Sequence, residues 1–406
     1  MEYIKNILNN SKGLFTSQIA TFVLLIVQVG LVTKSLGVEN YGKLSVMLIS
    51  VSLIFRLFLS KNSDVTLFYL SKSNKFEFFN SLFFDIFLGA ICFIVSILLF
   101  FYTENYFEYD LDNFLVLFLI TRILQYSEET FKGYLISFSE FNKLALLNFF
   151  TILIRFVALY LILIKNSTIS GYFFAVSLST IVSFFIGLFY CRQYLFLEKI
   201  SFKTFKIYIS EIKETYFKQR FDQVAGIIPN HFDILILSLF GTFTEVGLFR
   251  IARRLVEPIN GIINSLTPII QNKISDKNST FSQNEFVFKI LLPISGVLLI
   301  FYSLIGENLI ILVTSKEFKD AYLPLLIVLL SSLIYLNTFW LRYILLFNNF
   351  IHLHALARIF GTVAFLISGI FLADRYFAIG ISLALLLGNF IQKIYELFVY
   401  KKYIKS

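Results

Sequence analysis

Apolar residues run along this chain in blocks, separated by short polar interruptions. About twelve blocks reach the ~20 residues that a helix needs to span a bilayer. They lie near Leu14–Leu36, Gly42–Leu70, Asn80–Tyr102, Asn113–Phe138, Leu144–Ile164, Ile169–Arg192, Phe221–Phe240, Val246–Ile270, Phe286–Ile305, Ala321–Phe347, Ala355–Leu372 and Phe377–Tyr400. Tyr194–Lys218 reads differently. Phe202, Phe205, Ile209, Ile212 and Tyr216 recur at helical spacing, with Lys203, Lys206 and Lys213 on other faces. That is the pattern of an amphipathic helix lying in the interface. It divides the chain into a first bundle of six spans (1–193), a linker (194–218) and a second bundle of six (219–406).

Composition agrees with the pattern. Of 406 residues, 57% are hydrophobic and 15% charged, and mean hydropathy is +0.78. A soluble domain carries about 25% charged residues, so the expected class is an all-α polytopic membrane protein. A net charge of +9 fits lysine-rich cytoplasmic loops better than nucleic-acid binding. Lys72, Lys75, Lys143, the 199–220 stretch, Lys273, Lys277 and the terminal Lys401, Lys402 and Lys405 fall on one side. Glu39, Glu104, Glu108, Asp110 and Glu245 fall on the other, with Lys165, a mixed loop around Lys316, and Asp374 beside Arg375. The expected topology is multi-pass with both termini cytoplasmic. The start, MEYIKNILNNSKG, leads into a long apolar stretch without a small-residue cleavage site and reads as an uncleaved first span.

Two turn motifs echo each other. SLGVENYGKLSV (35–46) and SLFGTFTEVGLFRIA (238–252) each place a Gly near the end of a span, an acidic turn, and a second Gly opening the next span. Their matched positions in the two halves point to a duplicated six-helix unit. Proline is asymmetric: Pro229, Pro258, Pro268, Pro293 and Pro324 all lie in the second half. This predicts more bent helices there, for packing or for hinge motion.

Charge inside the apolar blocks carries the chemistry. Arg250, Arg254, Glu257, Gly261 and Asn264 share one face of a straight helix. Arg253 lies beside them. The first half adds Arg56, Arg122 and Arg155. Facing lipid, each arginine would cost about 2.5–3.5 kcal/mol, so the six together would exceed a typical net stability of about 5–15 kcal/mol. The expectation is a cationic, aqueous cavity between the halves that takes an anionic substrate. The guanidinium fork suits phosphate. Structural ion pairs, such as Arg254 with Glu257, are the alternative for any single residue. Gln18, Gln28, Gln125, Tyr126, Asn148, Glu257 and Asn264 are candidate polar lining. Asp64, Asp85, Glu128, Glu129 and Asp233 are candidate ion carriers. Arg342 and Arg358 continue the basic pattern, and Asp222, Gln223 and Asn230 add polar groups to the seventh span.

No soluble catalytic motif, nucleotide-binding glycine loop or metal-ligand cluster is present in the sequence. The expectation is a non-enzyme without cofactor or metal. Cys92 and Cys191 lie in apolar stretches and read as packing residues. His231, His352 and His354 lack ligand spacing on one helix face.

The chain resembles the Wzx-type polysaccharide flippases of the multidrug/oligosaccharidyl-lipid/polysaccharide (MOP) exporter superfamily. The resemblance rests on SLGVENYGKLSV, on DILILSLFGTFTEVGLFRIARRL (233–255) and on TSKEFKDAYLPLLIVLL (314–330). Phe249 stands where the family often has Tyr, and SKNSD (60–64) is unusually polar for a span. The resemblance implies a MATE-like, V-shaped, pseudo-two-fold pair of six-helix bundles that alternates between inward-open and outward-open. It implies a polyprenyl-pyrophosphate-linked oligosaccharide as substrate, an O-antigen or capsule repeat unit. Transport across the bacterial inner membrane would be driven by an ion gradient, in partnership with a polysaccharide polymerase and chain-length machinery. Two alternatives stay open: a drug/cation antiporter of the same fold, which would want an acidic or apolar pocket, and an integral-membrane polysaccharide polymerase, which would want a large external loop.

Overall fold

The computed structural model describes residues 2–58, 78–107, 113–138, 140–195, 202–263, 287, 291–348 and 350–404. The protein is an all-helical polytopic membrane protein. Helix α1 covers Glu2–Phe58, α2 Phe78–Phe107, α3 Asn113–Ser137, α4 Phe141–Leu163, α5 Ile169–Tyr190, the short α6 Arg192–Leu195, and α7 Phe202–Phe240. Helix α8 covers Phe243–Val256, α9 Leu292–Val313, α10 Tyr322–Thr338, α11 Trp340–Phe347 and α12 Ile351–Tyr403, with a 3-10 turn over Lys316–Ala321. Among the described residues, seven helical stretches are long and apolar enough to cross a membrane. Two of them are doubled. Helix α1 is broken at Gly37 (φ 73°), a positive-φ conformation that glycine adopts without strain. Helix α12 reverses at Phe377 (φ 47°).

The predicted spans differ in places. The second is helical to Phe58, and 59–70 lie outside the described residues. The fourth, α3, is long enough but carries Arg122, Glu128, Glu129 and Lys132, and it is not among the seven apolar stretches. The ninth begins at Leu292 and runs on to Val313, with Pro293 in its first turn. Pro324 is likewise near the start of α10. A proline there removes an N–H that has no helical partner, so these two prolines start helices and do not bend them.

Pro258 does interrupt its helix. Its missing N–H leaves the Arg254 carbonyl to the Glu257 N–H, at 3.3 Å, in a tighter turn. The helix closes at Val256 and resumes over 258–263. The face expected to run straight from Arg250 is therefore broken at Glu257, before Gly261.

The chain forms two compact units. One is Met1–Leu36 with Ser50–Ile227, the other Gly37–Ile49 with Ile228–Ser406. The boundary falls inside α7, because the expected linker helix is not a separate element. It runs without a break into the seventh span. Its apolar face is covered by α2 of its own unit. Tyr208 and Ile212 are buried with Phe84, and Phe205 packs edge-on against Phe83. The residues read as an interfacial stripe thus pack in a protein core.

In the first unit α3 packs on α2 and α5, and α4 on α5. A cluster of Phe78, Phe131, Tyr134, Leu144, Cys191 and Tyr194 anchors one end. Gly187 permits the approach: a Cβ there would stand 2.2 Å from the Phe131 ring. Thr168 caps α5, accepting the Gly171 N–H at 3.1 Å.

In the second unit α10 packs on α8, α9 and α12, and α11 on α12. Here the two echoed turn motifs meet. A Cβ on Gly42 would fall 1.7 Å from the Phe243 carbonyl oxygen, and one on Gly247 would fall 2.4 Å from the Val38 carbonyl oxygen. Aligning Gly42 with Gly247 makes Val38 and Phe243 equivalent, so the contact is reciprocal. Each glycine lies against the carbonyl four residues before its counterpart. Tyr41 meets the edge of Phe318, and Lys43 lies over the Phe243 ring. Thr242 caps α8, accepting the Glu245 N–H at 3.3 Å. The Glu245 carboxylate does not close a capping box. It accepts the Ala378 N–H at 3.1 Å, just past the reversal in α12.

Candidate functional site: buried charge in each unit

The first unit gathers a basic cluster on α1, α3 and α4. Arg122, on α3, bonds the Gln125 amide oxygen and lies 4.6 Å over the Phe118 ring. Arg155, from α4, and Glu128 are within its electrostatic reach. Arg56, exposed in the last turn of α1, acts on Tyr126, whose ring stacks on Phe55 at 4.9 Å. Glu129 is tied to Lys132 at 3.0 Å. Glu128 is buried, with one carboxylate oxygen lacking a hydrogen-bond partner. Arg56, Arg122, Lys132 and Arg155 thus stand against two carboxylates, a net positive site.

The decisive detail is that the Nε–H groups of Arg122 and Arg155 are both buried without an acceptor. A buried unsatisfied donor costs about 1–3 kcal/mol. Each suits an acceptor such as water or an anion.

The other candidates in this unit stand apart from that cluster's charges. Gln28 is buried on α1 and donates to the Ile152 carbonyl at 2.9 Å, tying α1 to α4. Asp85 is buried and accepts from Thr130 at 2.7 Å, and Thr130 in turn bonds Ser81 at 3.1 Å. Asn148 is half-buried on α4. The side chains of Gln18, Asp222, Gln223 and Asn230, and residues Asp64 and Asn264, lie outside the described residues.

The second unit sorts the α8 arginines into different environments. Arg253 pairs with Asp233 of α7, whose side chain is 0% exposed. The other Asp233 oxygen accepts the Ile234 N–H at 2.8 Å. Two residues assigned separate roles from the sequence, a cavity cation and an ion carrier, are each other's partner. Arg254 grips Glu257 with both carboxylate oxygens on one Nη1, at 3.0 and 2.8 Å. Both side chains stay more than a third exposed. Arg250 is half-buried one turn before Arg254. Position at the end of α8 also suits Arg253 and Arg254, since cations complement the negative end of the helix dipole.

Sequence reasoning missed one group. At the end of α12 opposite Phe377, Glu396 is 0% exposed. It accepts from the Lys393 ammonium at 2.7 Å and the Gln392 amide at 2.8 Å, and the His354 Nδ1 stands 3.1 Å from it. Lys393 and Glu396 three apart in an apolar span were the available signal. His354, on the other limb, is distant in sequence. Arg342 is exposed beside Tyr343, and Arg358 is half-buried.

The cysteines are inert packing groups. Both are free and buried.

No protein-family model and no curated protein matches the chain by sequence. Solved structures do match. The inward-closed conformation of the lipid II flippase MurJ aligns at TM-score 0.75 and 16% identity, covering 97% of this chain and 88% of that one. An inward-facing MATE-family transporter of the MOP superfamily aligns at 0.71 and 13% identity, covering 95% and 94%. A MOP-superfamily transporter from Pyrococcus furiosus, described by the reverse polarity of its binding pocket, aligns at 0.55 and 14% identity, covering 98% and 93%. The fold is that of the MOP-superfamily transporters. At these identities the likeness is one of fold, and the buried charges of each unit are features of this chain.

Proposed function

We propose that the chain is a lipid-linked oligosaccharide flippase. It would move a polyprenyl-pyrophosphate-linked repeat unit of O-antigen or capsule across the bacterial inner membrane by alternating access, driven by an ion gradient. The observation that carries this reading is the pair of buried, acceptor-free Nε–H groups on Arg122 and Arg155. A diphosphate supplies charge and acceptors for both, and guanidinium binds it with two oxygens at a time. Gln125, Tyr126 and Asn148 offer hydrogen bonds to sugar hydroxyls. In the second unit, Glu257 holds Arg254 until an anionic group competes for it. A fold shared with a lipid II flippase supports a lipid-linked substrate, and that support is by analogy of fold. Both termini are taken as cytoplasmic, and a polysaccharide polymerase as the partner that consumes the product.

The test is a reconstituted flipping assay. The protein is placed in liposomes with a fluorescent undecaprenyl-pyrophosphate disaccharide, and the fraction reaching the opposite leaflet is measured. Arg122→Ala and Arg155→Ala should each lower the initial rate at least tenfold while folded protein is recovered at wild-type yield. Arg122→Lys should restore little, because an ammonium lacks the fork. Wild-type rates in both alanine variants would refute the role. Uptake of a cationic dye, with no movement of the lipid, would favour the MATE-type antiporter instead.

A further inference from the structure

The terminal helix α12 is a hairpin whose limbs are held at three levels. At the reversal, Phe377 has φ 47°, a strained value for a bulky residue, and Glu245 holds the adjoining Ala378 amide. Midway, Gly361 and Gly388 press reciprocally: a Cβ on either would fall 2.7 or 2.8 Å from the other's carbonyl oxygen. At the open end, His354 on one limb meets Glu396 and Lys393 on the other.

A static ion lock needs only Lys393 and Glu396, which already balance in charge. The third member is the side chain that changes charge between pH 5 and 8. Both of its protonation states are accommodated. When His354 is neutral, Glu396 still holds Lys393 and Gln392. When it carries a second proton, a carboxylate oxygen stands 3.1 Å from Nδ1. His354 keeps 11% side-chain exposure, whereas Glu396 and Lys393 keep 0% and 3%. The proton therefore enters at the imidazole. Tyr335 of α10, whose ring lies 4.8 Å under the Lys393 ammonium, faces the cluster. Arg342 and Tyr343 of α11 and Arg358 of α12 do so as well. Helix α8 meets α12 at Ala378, the far end.

We propose that His354, Glu396 and Lys393 form a proton-binding site at the open end of the terminal hairpin, with His354 taking up and releasing the proton. The site links the two limbs more firmly when charged, so proton occupancy sets how tightly the hairpin closes. The proton's role as the driving ion rests on the flippase reading. Binding of the proton does not.

The chain carries its own reporter. Trp340 is the sole tryptophan, and its ring lies 5.6 Å from Tyr400, one turn beyond Glu396. Its emission is followed from pH 5 to 8.5 with the full chain in lipid nanodiscs. Wild type should show a single-proton transition. His354→Gln, which keeps a donor for Glu396 and does not titrate, should be flat. His352→Gln, at an exposed neighbour, should titrate as wild type does. A flat wild-type curve, or an unchanged transition in His354→Gln, overturns the proposal. A flat wild-type curve decides against the site even if the variant fails to fold.

A second arm imposes a pH gradient across liposomes in the flipping assay. Wild type should gain about tenfold, and His354→Gln should keep the rate without a gradient and lose the gain. A titrating site with full gradient response in His354→Gln overturns its coupling role. A titrating site in a wild type that moves no lipid supports the proton site and counts against the flippase reading.

Discussion

Gly42→Ala puts a methyl group into the tightest backbone approach in the second unit. The added Cβ would lie 1.7 Å from the Phe243 oxygen, 2.6 Å from its carbonyl carbon and 3.1 Å from the Gly247 nitrogen. Ordinary contact begins at 3.4 Å, so the 37–49 segment and α8 have to part by about 1.7 Å at this level. Neither side yields easily, since every close atom is backbone and Phe243 opens a helix capped by Thr242. Overpacking costs about 1–3 kcal/mol. Separation also weakens the Lys43–Phe243 and Tyr41–Phe318 contacts, at about 0.5–1 kcal/mol each. Alanine returns up to about 1 kcal/mol of helix propensity. The net expectation is a loss of about 2–3 kcal/mol, or roughly 5–10 °C in melting temperature for a unit of this size. The assay is thermal unfolding in detergent, read by Trp340 emission. Gly296→Ala is the control, because a Cβ there meets nothing within 4 Å. Gly247→Ala should behave like Gly42→Ala, and the double variant should cost less than the two together, because one separation relieves both clashes. Equal melting of Gly42→Ala and Gly296→Ala, or strict additivity in the double variant, would refute the reciprocal contact.

Arg253→Met should destabilise by about 3–5 kcal/mol, because it leaves the wholly buried Asp233 carboxylate unpaired. The double change with Asp233→Leu should recover most of that in the same melting assay. Recovery by Asp233→Leu that brings no change in transport would make the pair structural. At the start of α4, burial pushes the Glu140 carboxyl up, but bonds from Lys143 at 2.8 Å and Gln193 at 2.9 Å outweigh it and hold it below the usual range. A depressed folded value stabilises above the unfolded pKa and is lost as pH falls through the folded one. Glu140→Gln should therefore cost about 0.2–1 kcal/mol at pH 7, a difference that shrinks as pH is lowered to 3. A constant difference across that range would contradict the assignment.

The apolar blocks alone determine that this chain is helical and membrane-spanning, because in hydrocarbon the backbone must satisfy its hydrogen bonds within each span. They also expose the anomalous charges. Arg122 and Arg155 stand out in the sequence because lipid-facing arginine is costly, and the glycine echo at 35–46 and 238–252 is visible as a repeat. Which charge meets which partner was decided only by tertiary packing. Asp233 and Arg253 lie on different helices, and His354 and Glu396 on opposite limbs of one hairpin, so no local spacing relates them. Local rules also failed where a partner element intervened. The stripe from Phe205 to Tyr216 has the periodicity of an interfacial helix, but α2 supplies the apolar surface that periodicity seeks. Gly42 and Gly247 were legible as turn glycines. Their shared reason, two carbonyls that leave no room for a Cβ, exists only once the two motifs are brought together.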